Sequence, residues 1–90
     1  MTGRRDAQRF TAAVRTLVNK VIGEDALTEA DDDEPLFERR ILDSLSLLTI
    51  MVSFQVRFDV QVAPEDLVPA NFGSVSAMAR FVAVKQEARR

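Results

Sequence analysis

An all-α fold is predicted for this chain: a four-helix bundle of three long helices and one short one, with a long loop between the first and second. Three observations predict it. Apolar residues recur at three- and four-residue spacings in separate stretches. Only three glycines and three prolines occur in 90 residues, so long helices are possible. Alternation of the strand type is confined to Val60 and Val62, a segment with no second strand to pair with.

The first helix is expected over about 5–22. Phe10, Val14, Leu17 and Val21 share one face, and Arg9, Arg15, Thr16, Asn19 and Lys20 lie away from it. Gly23 stands where a helix C-terminal glycine belongs, and Lys20 falls in the last turn, where a cation suits the helix dipole. Residues 24–43 form the long connection. It holds nine of the fourteen acids, whereas 4–20 carries five bases against one acid. Leu27, Leu36, Phe37, Ile41 and Leu42 can fasten this loop to the core. The run at 31–34 reads as solvated loop, because it lacks the spaced ligands and glycine of a calcium loop.

A second long helix is expected over about 44–58, with Asp43 or Ser44 as its N-cap. On a helical wheel Leu45, Leu48, Val52 and Val56 fall on one side. Leu47, Ile50, Met51, Phe54 and Phe58 fall on the other. One stripe can face the core. The other must be covered by further chain or left to a partner. An extended connector follows. The short helix is expected over 64–68, with Pro64 in its first turn, acids beside its N-terminus and Pro69 ending it. A turn at 71–74 leads into the last helix, about 74–87, with Val75, Met78, Ala79 and Val82 on one face.

Residues 1–90 are expected to form a single domain, since this length supports one core and 47% of the residues are hydrophobic. No apolar run is long enough to span a membrane, and the N-terminal residues lack the apolar segment of a signal peptide, so a cytoplasmic location is expected. With neither cysteine nor histidine, disulfides, Cys/His zinc sites and Ser–His or Cys–His nucleophilic pairs are excluded. No metal site and no catalytic constellation is identified. A net charge of −2 argues against nucleic acid as a partner.

The motif Asp43-Ser44-Leu45 at the start of the second long helix resembles that of the acyl carrier and peptidyl carrier protein family. Upstream, Pro35-Leu36-Phe37-Glu38 and Ile41-Leu42 look like the approach to the motif in free-standing carriers of natural-product pathways. Downstream, Phe58-Asp59-Val60-Gln61-Val62 resembles the family's F-G-I-x-I segment. Pro64-Glu65-Asp66-Leu67 and Asn71-Phe72-Gly73-Ser74-Val75 resemble its third helix and the start of its fourth. The resemblance covers about 36–82.

The resemblance implies that Ser44 receives 4′-phosphopantetheine, moved from coenzyme A by a separate phosphopantetheinyl transferase in a magnesium-dependent step. Asp43 would serve in transferase recognition. Leu45, Leu48, Val52 and Val56 would meet partner enzymes: an acyl- or aminoacyl-loading enzyme and a downstream synthase. The protein would be a monomeric carrier and not an enzyme. Two departures from the family stand out. A small residue, usually glycine, is common three or four positions before the serine, and Arg39-Arg40 stands in that region here. The second helix carries Ser46, Thr49, Gln55 and Val56 where fatty-acid carriers place acids, and Arg57 adds a positive charge. That pattern implies contacts through an apolar face, in a polyketide or nonribosomal peptide pathway. The alternative is a non-modified helical interaction module that uses the same apolar stripe. A helix-turn-helix DNA binder is a distant third, because the last helix holds few bases.

Overall fold

The computed structural model describes residues 2–23 and 31–88, with side chains from residue 9 onward. Leu27, named above, and part of the acid-rich connection lie outside the described residues. The fold is all-helical as expected. Helix α1 spans Thr2–Ile22, α2 spans Ser44–Arg57, α3 spans Pro69–Phe72 and α4 spans Val75–Ala88. A 3₁₀ turn at Pro64–Asp66 precedes α3. There is no strand among the described residues.

Helix α1 ends where Gly23 takes a φ of 125° and its amide donates to the Asn19 carbonyl at 2.8 Å. A side chain at that φ would be strained, so glycine terminates the helix cheaply. Within α1, Val14 and Val18 are fully buried, while Phe10, Leu17 and Val21 pack partly buried against the core. The periodicity named four of these five and passed over Val18. Helix α1 packs mainly on α4 and also touches α2.

Helix α4 is buried over much of its surface, with Arg80, Val84 and Glu87 left exposed. To the expected Val75, Met78, Ala79 and Val82 it adds Ala77, Phe81 and Ala83. Helices α1 and α3 both pack on it, so a single apolar stripe understates how much of it is covered. A line of aromatic rings ties the bundle together: Phe10 to Phe58, Phe58 to Phe54, Phe54 to Phe72, and Phe72 to Phe81, with ring centres 5.0–5.7 Å apart. The connector after α2 is extended. Its Val60 and Val62 are buried, and the Val62 amide donates to Gln55 Oε1 at 3.2 Å.

The short helix differs from the expectation. In place of one helix over 64–68 ended by Pro69, the chain forms the 3₁₀ turn at Pro64–Asp66 and then α3, which Pro69 begins. The reason is local. A residue before proline disfavours the helical region, so Val68 is extended (φ −124°, ψ 157°) and the first turn must stop there. Pro69 then occupies the first helical position, where its missing N–H costs nothing. The Asp66 carboxylate accepts the Ala63 amide at 2.9 Å, and the Asp66 carbonyl accepts Asn71 Nδ2 at 2.9 Å, bracing the two turns against each other.

Candidate functional site

The approach to α2 is a folded turn pinned at both ends. Leu36 is fully buried, and its amide donates to the Gly73 carbonyl at 2.8 Å. Its own carbonyl accepts from Ile41 at 2.9 Å and Leu42 at 3.2 Å, which reverses the chain. Leu42, 3% exposed, is the second anchor. Earlier in the loop Asp32 reaches two helices. Its carboxylate pairs with Arg15 of α1 at 2.8 Å, and its carbonyl accepts the Ser76 amide of α4 at 2.8 Å. These ties were not read from the sequence, because they join residues far apart in the chain.

Beyond Leu42 the chain emerges into solvent. Asp43 is the N-cap of α2: its backbone is extended, its carbonyl accepts the Leu47 amide at 2.9 Å and its carboxylate accepts the Ser46 amide at 2.8 Å. The Ser46 amide, and after it the Ser46 hydroxyl, hold the Asp43 carboxyl below its ordinary pKa. Asp43 is therefore ionised and fixed beside the helix start, a favourable place for a negative charge. Ser44 is the first residue of α2 and is exposed. Its hydroxyl sits at the positive end of the helix, where first-turn amides face outward, an arrangement that suits a phosphodiester.

The two expected stripes of α2 are distinguished by burial. Ile50, Phe54 and Phe58 are buried, and Leu47 and Met51 pack against them. On the other side Leu45 is 74% exposed, Leu48 49%, Val52 52% and Val56 80%. This stripe adjoins an open groove of about 620 Å³ between α1 and α2, whose walls include Leu17, Lys20, Val52 and Arg57. The α1 wall of that groove was not singled out from the sequence. Its small residues, Ala12, Ala13 and Thr16, were the only local sign of it.

Of the two arginines that stand in place of a small residue, Arg39 is exposed and pairs with Glu34. Arg40, also exposed, has a φ of 59°. Its backbone therefore takes the left-handed conformation that glycine adopts freely. Asp59, which stands at the glycine of the F-G-I-x-I pattern, shows the same feature with a φ of 53°.

Among the described residues no group of acids is arranged to hold a metal ion, and no helix is long and apolar enough to cross a membrane. A family model described as "Phosphopantetheine attachment site" matches residues 12–82. The chain belongs to that family, the phosphopantetheine-binding carrier domains. It is therefore a non-catalytic carrier bearing a covalent 4′-phosphopantetheine arm, and carriers of this kind meet a transferase and synthase enzymes. The alternative of a non-modified interaction module gives way to this membership. Comparison with curated proteins and with solved structures returned no match.

Proposed function

We propose that Ser44 is the attachment residue, that Asp43 contributes to transferase recognition, and that Leu45, Leu48, Val52 and Val56 receive the partner enzymes. The observation that carries this reading is the exposed Ser44 hydroxyl at the first position of α2, next to a cap that is already in place. When bound, the arm supplies a terminal thiol that holds acyl or aminoacyl cargo as a thioester. This chain contributes a nucleophilic hydroxyl held on a rigid helix and a carboxylate fixed beside it. It has no histidine to act as base at Ser44. The proton on that hydroxyl is therefore removed by the transferase, and Ser44 is a substrate, not a catalyst.

The reading extends to the whole chain as one monomeric, cytoplasmic carrier domain. The approach through Pro35-Leu36-Phe37-Glu38 supports the free-standing natural-product type. The absence of Asp and Glu from α2 supports a secondary-metabolite pathway, polyketide or nonribosomal peptide, over bulk fatty acid synthesis. The loading enzyme and downstream synthase would then grip an apolar face, with weak dependence on salt.

The test is to incubate the protein with coenzyme A, magnesium and a broad-specificity phosphopantetheinyl transferase and to measure its intact mass. The expected result is a gain of one phosphopantetheine, lost in Ser44→Ala. No gain, or a gain that persists in Ser44→Ala, overturns the assignment.

A further inference from the structure

We infer that the groove between α1 and α2 docks an amphipathic helix of a partner protein whose apolar ridge is flanked by carboxylates. The inference deepens the carrier reading and rests on it for the reason partners come to this face, but its assay needs no arm.

The geometry of the groove carries the argument. The contact between Phe10 and Phe58 sets the middle of α1 against the end of α2. Arg57, next to Phe58, therefore stands at one end of the groove. Lys20, ten residues along α1 from Phe10 and so about 15 Å away, stands toward the other end. Between them lie Leu17, Val52 and Val56, with Ala12, Ala13 and Ser53 keeping the walls low. The apolar strip continues along α2 through the exposed Leu48 and Leu45, so from Leu45 to Val56 it runs about 16 Å, or three helical turns. A strip of that length and shape matches one face of a short helix laid into a groove.

Charge selects the occupant. Among the described residues no carboxylate lines the groove, while one cation stands toward each end of it. Arg57 lies over the Phe58 ring at 5.3 Å, which holds its guanidinium at the rim. Neither Lys20 nor Arg57 has an ion-pair partner among the described residues. A second copy of this chain is a poor complement, because α2, the helix it would offer, contains no Asp or Glu and ends in Arg57. A partner helix with leucine-type residues along one face and carboxylates beside them satisfies both the apolar strip and the two cations.

The test uses the full chain carrying Ser44→Ala, so that no arm is present. The probe is a fluorescein-labelled, hydrocarbon-stapled helical peptide with leucines at i, i+3, i+4 and i+7 and flanking glutamates. A twin peptide has lysines in place of the glutamates. Fluorescence anisotropy is expected to show saturable binding of the acidic peptide and about tenfold weaker binding of the basic one. Val52→Asp should weaken both peptides, and Lys20→Glu with Arg57→Glu should reverse the preference. Circular dichroism checks that each variant folds, and the milder pair Lys20→Gln with Arg57→Gln should lose the preference if the reversal pair does not fold. Equal binding of the two peptides overturns the inference, as does a preference that survives the neutral pair. A dimer seen by light scattering and dissociated by Val52→Asp would also overturn it, by making a second copy the occupant. Loss of charge selection with normal mass gain at Ser44 leaves the attachment reading standing, and the reverse pattern leaves the groove standing.

Discussion

Arg40 is the residue at which backbone and sequence disagree most. With a φ of 59°, its Cβ crowds the neighbouring carbonyl, a conformation that costs a non-glycine residue about 1–2 kcal/mol. Glycine relieves that crowding but gives up about 0.5–1 kcal/mol of chain entropy on folding. Arg40→Gly is therefore expected to stabilise the protein by up to about 1 kcal/mol, whereas Arg40→Val, with a branched Cβ, should destabilise it. Urea unfolding of the two variants checks this, and destabilisation by Arg40→Gly would refute it. The sequence flagged Arg39-Arg40 as a pair occupying a small residue's place. It could not separate them, because positive φ follows from the reversal made by the Leu36 hydrogen bonds and not from either side chain. Asp43 and Ser44 were legible for the opposite reason: capping is a local chemistry of three or four residues.

At the scale of elements, α2 and α3 show what a pattern can and cannot carry. The two faces of α2 were readable because its apolar residues outnumber what one side of a helix can hold. Which face is buried followed from the resemblance, and it is now decided by the packing of Ile50 and Phe54. The break before α3 was missed because Pro69 can either end a helix or begin one, and the choice depends on Asp66 and Asn71 bracing the preceding turn. Gly73 closes α3 at an ordinary φ of −74°, so its need is steric. A Cβ there would lie 2.5 Å from the Pro69 carbonyl oxygen, a backbone atom that cannot move aside. Gly73→Ala is expected to cost about 1–3 kcal/mol in urea unfolding. It should also loosen the bond from the Leu36 amide to the Gly73 carbonyl, read as faster hydrogen exchange at Leu36. An unchanged exchange rate would show that the turn absorbs the methyl without moving.

For the whole molecule, the loop before α2 is part of the core rather than a tether. Leu36 sits among the fully buried residues, and the Asp32 contacts join that loop to α1 and α4. Leu36→Ala is expected to destabilise the fold by about 2–5 kcal/mol through lost burial and the cavity left behind. It should also slow the mass gain at Ser44, because the turn that presents α2 loses its anchor. Urea unfolding and a time course of intact mass check the two effects. Full stability together with an unchanged rate would show that the loop presents the site without help from the core.

The sequence by itself determined the helical class, the three long helices, the cap at Asp43, the two-sided character of α2 and the stretch that carries the family resemblance. Each of these is written in spacings of three or four residues or in a short motif, and so survives without knowledge of the fold. Only the tertiary structure decided that Arg40 bears the left-handed backbone, that Pro69 starts a helix, that Leu36 and Asp32 lock the loop, and that α1 and α2 enclose a groove with a cation toward each end. The loop and the groove depend on contacts between residues far apart in the chain, whereas Arg40 and Pro69 are settled by hydrogen bonds within a few residues that no side-chain pattern announces. Local pattern is blind to such contacts, because the energy that fixes them comes from burial and hydrogen bonding across the assembled core.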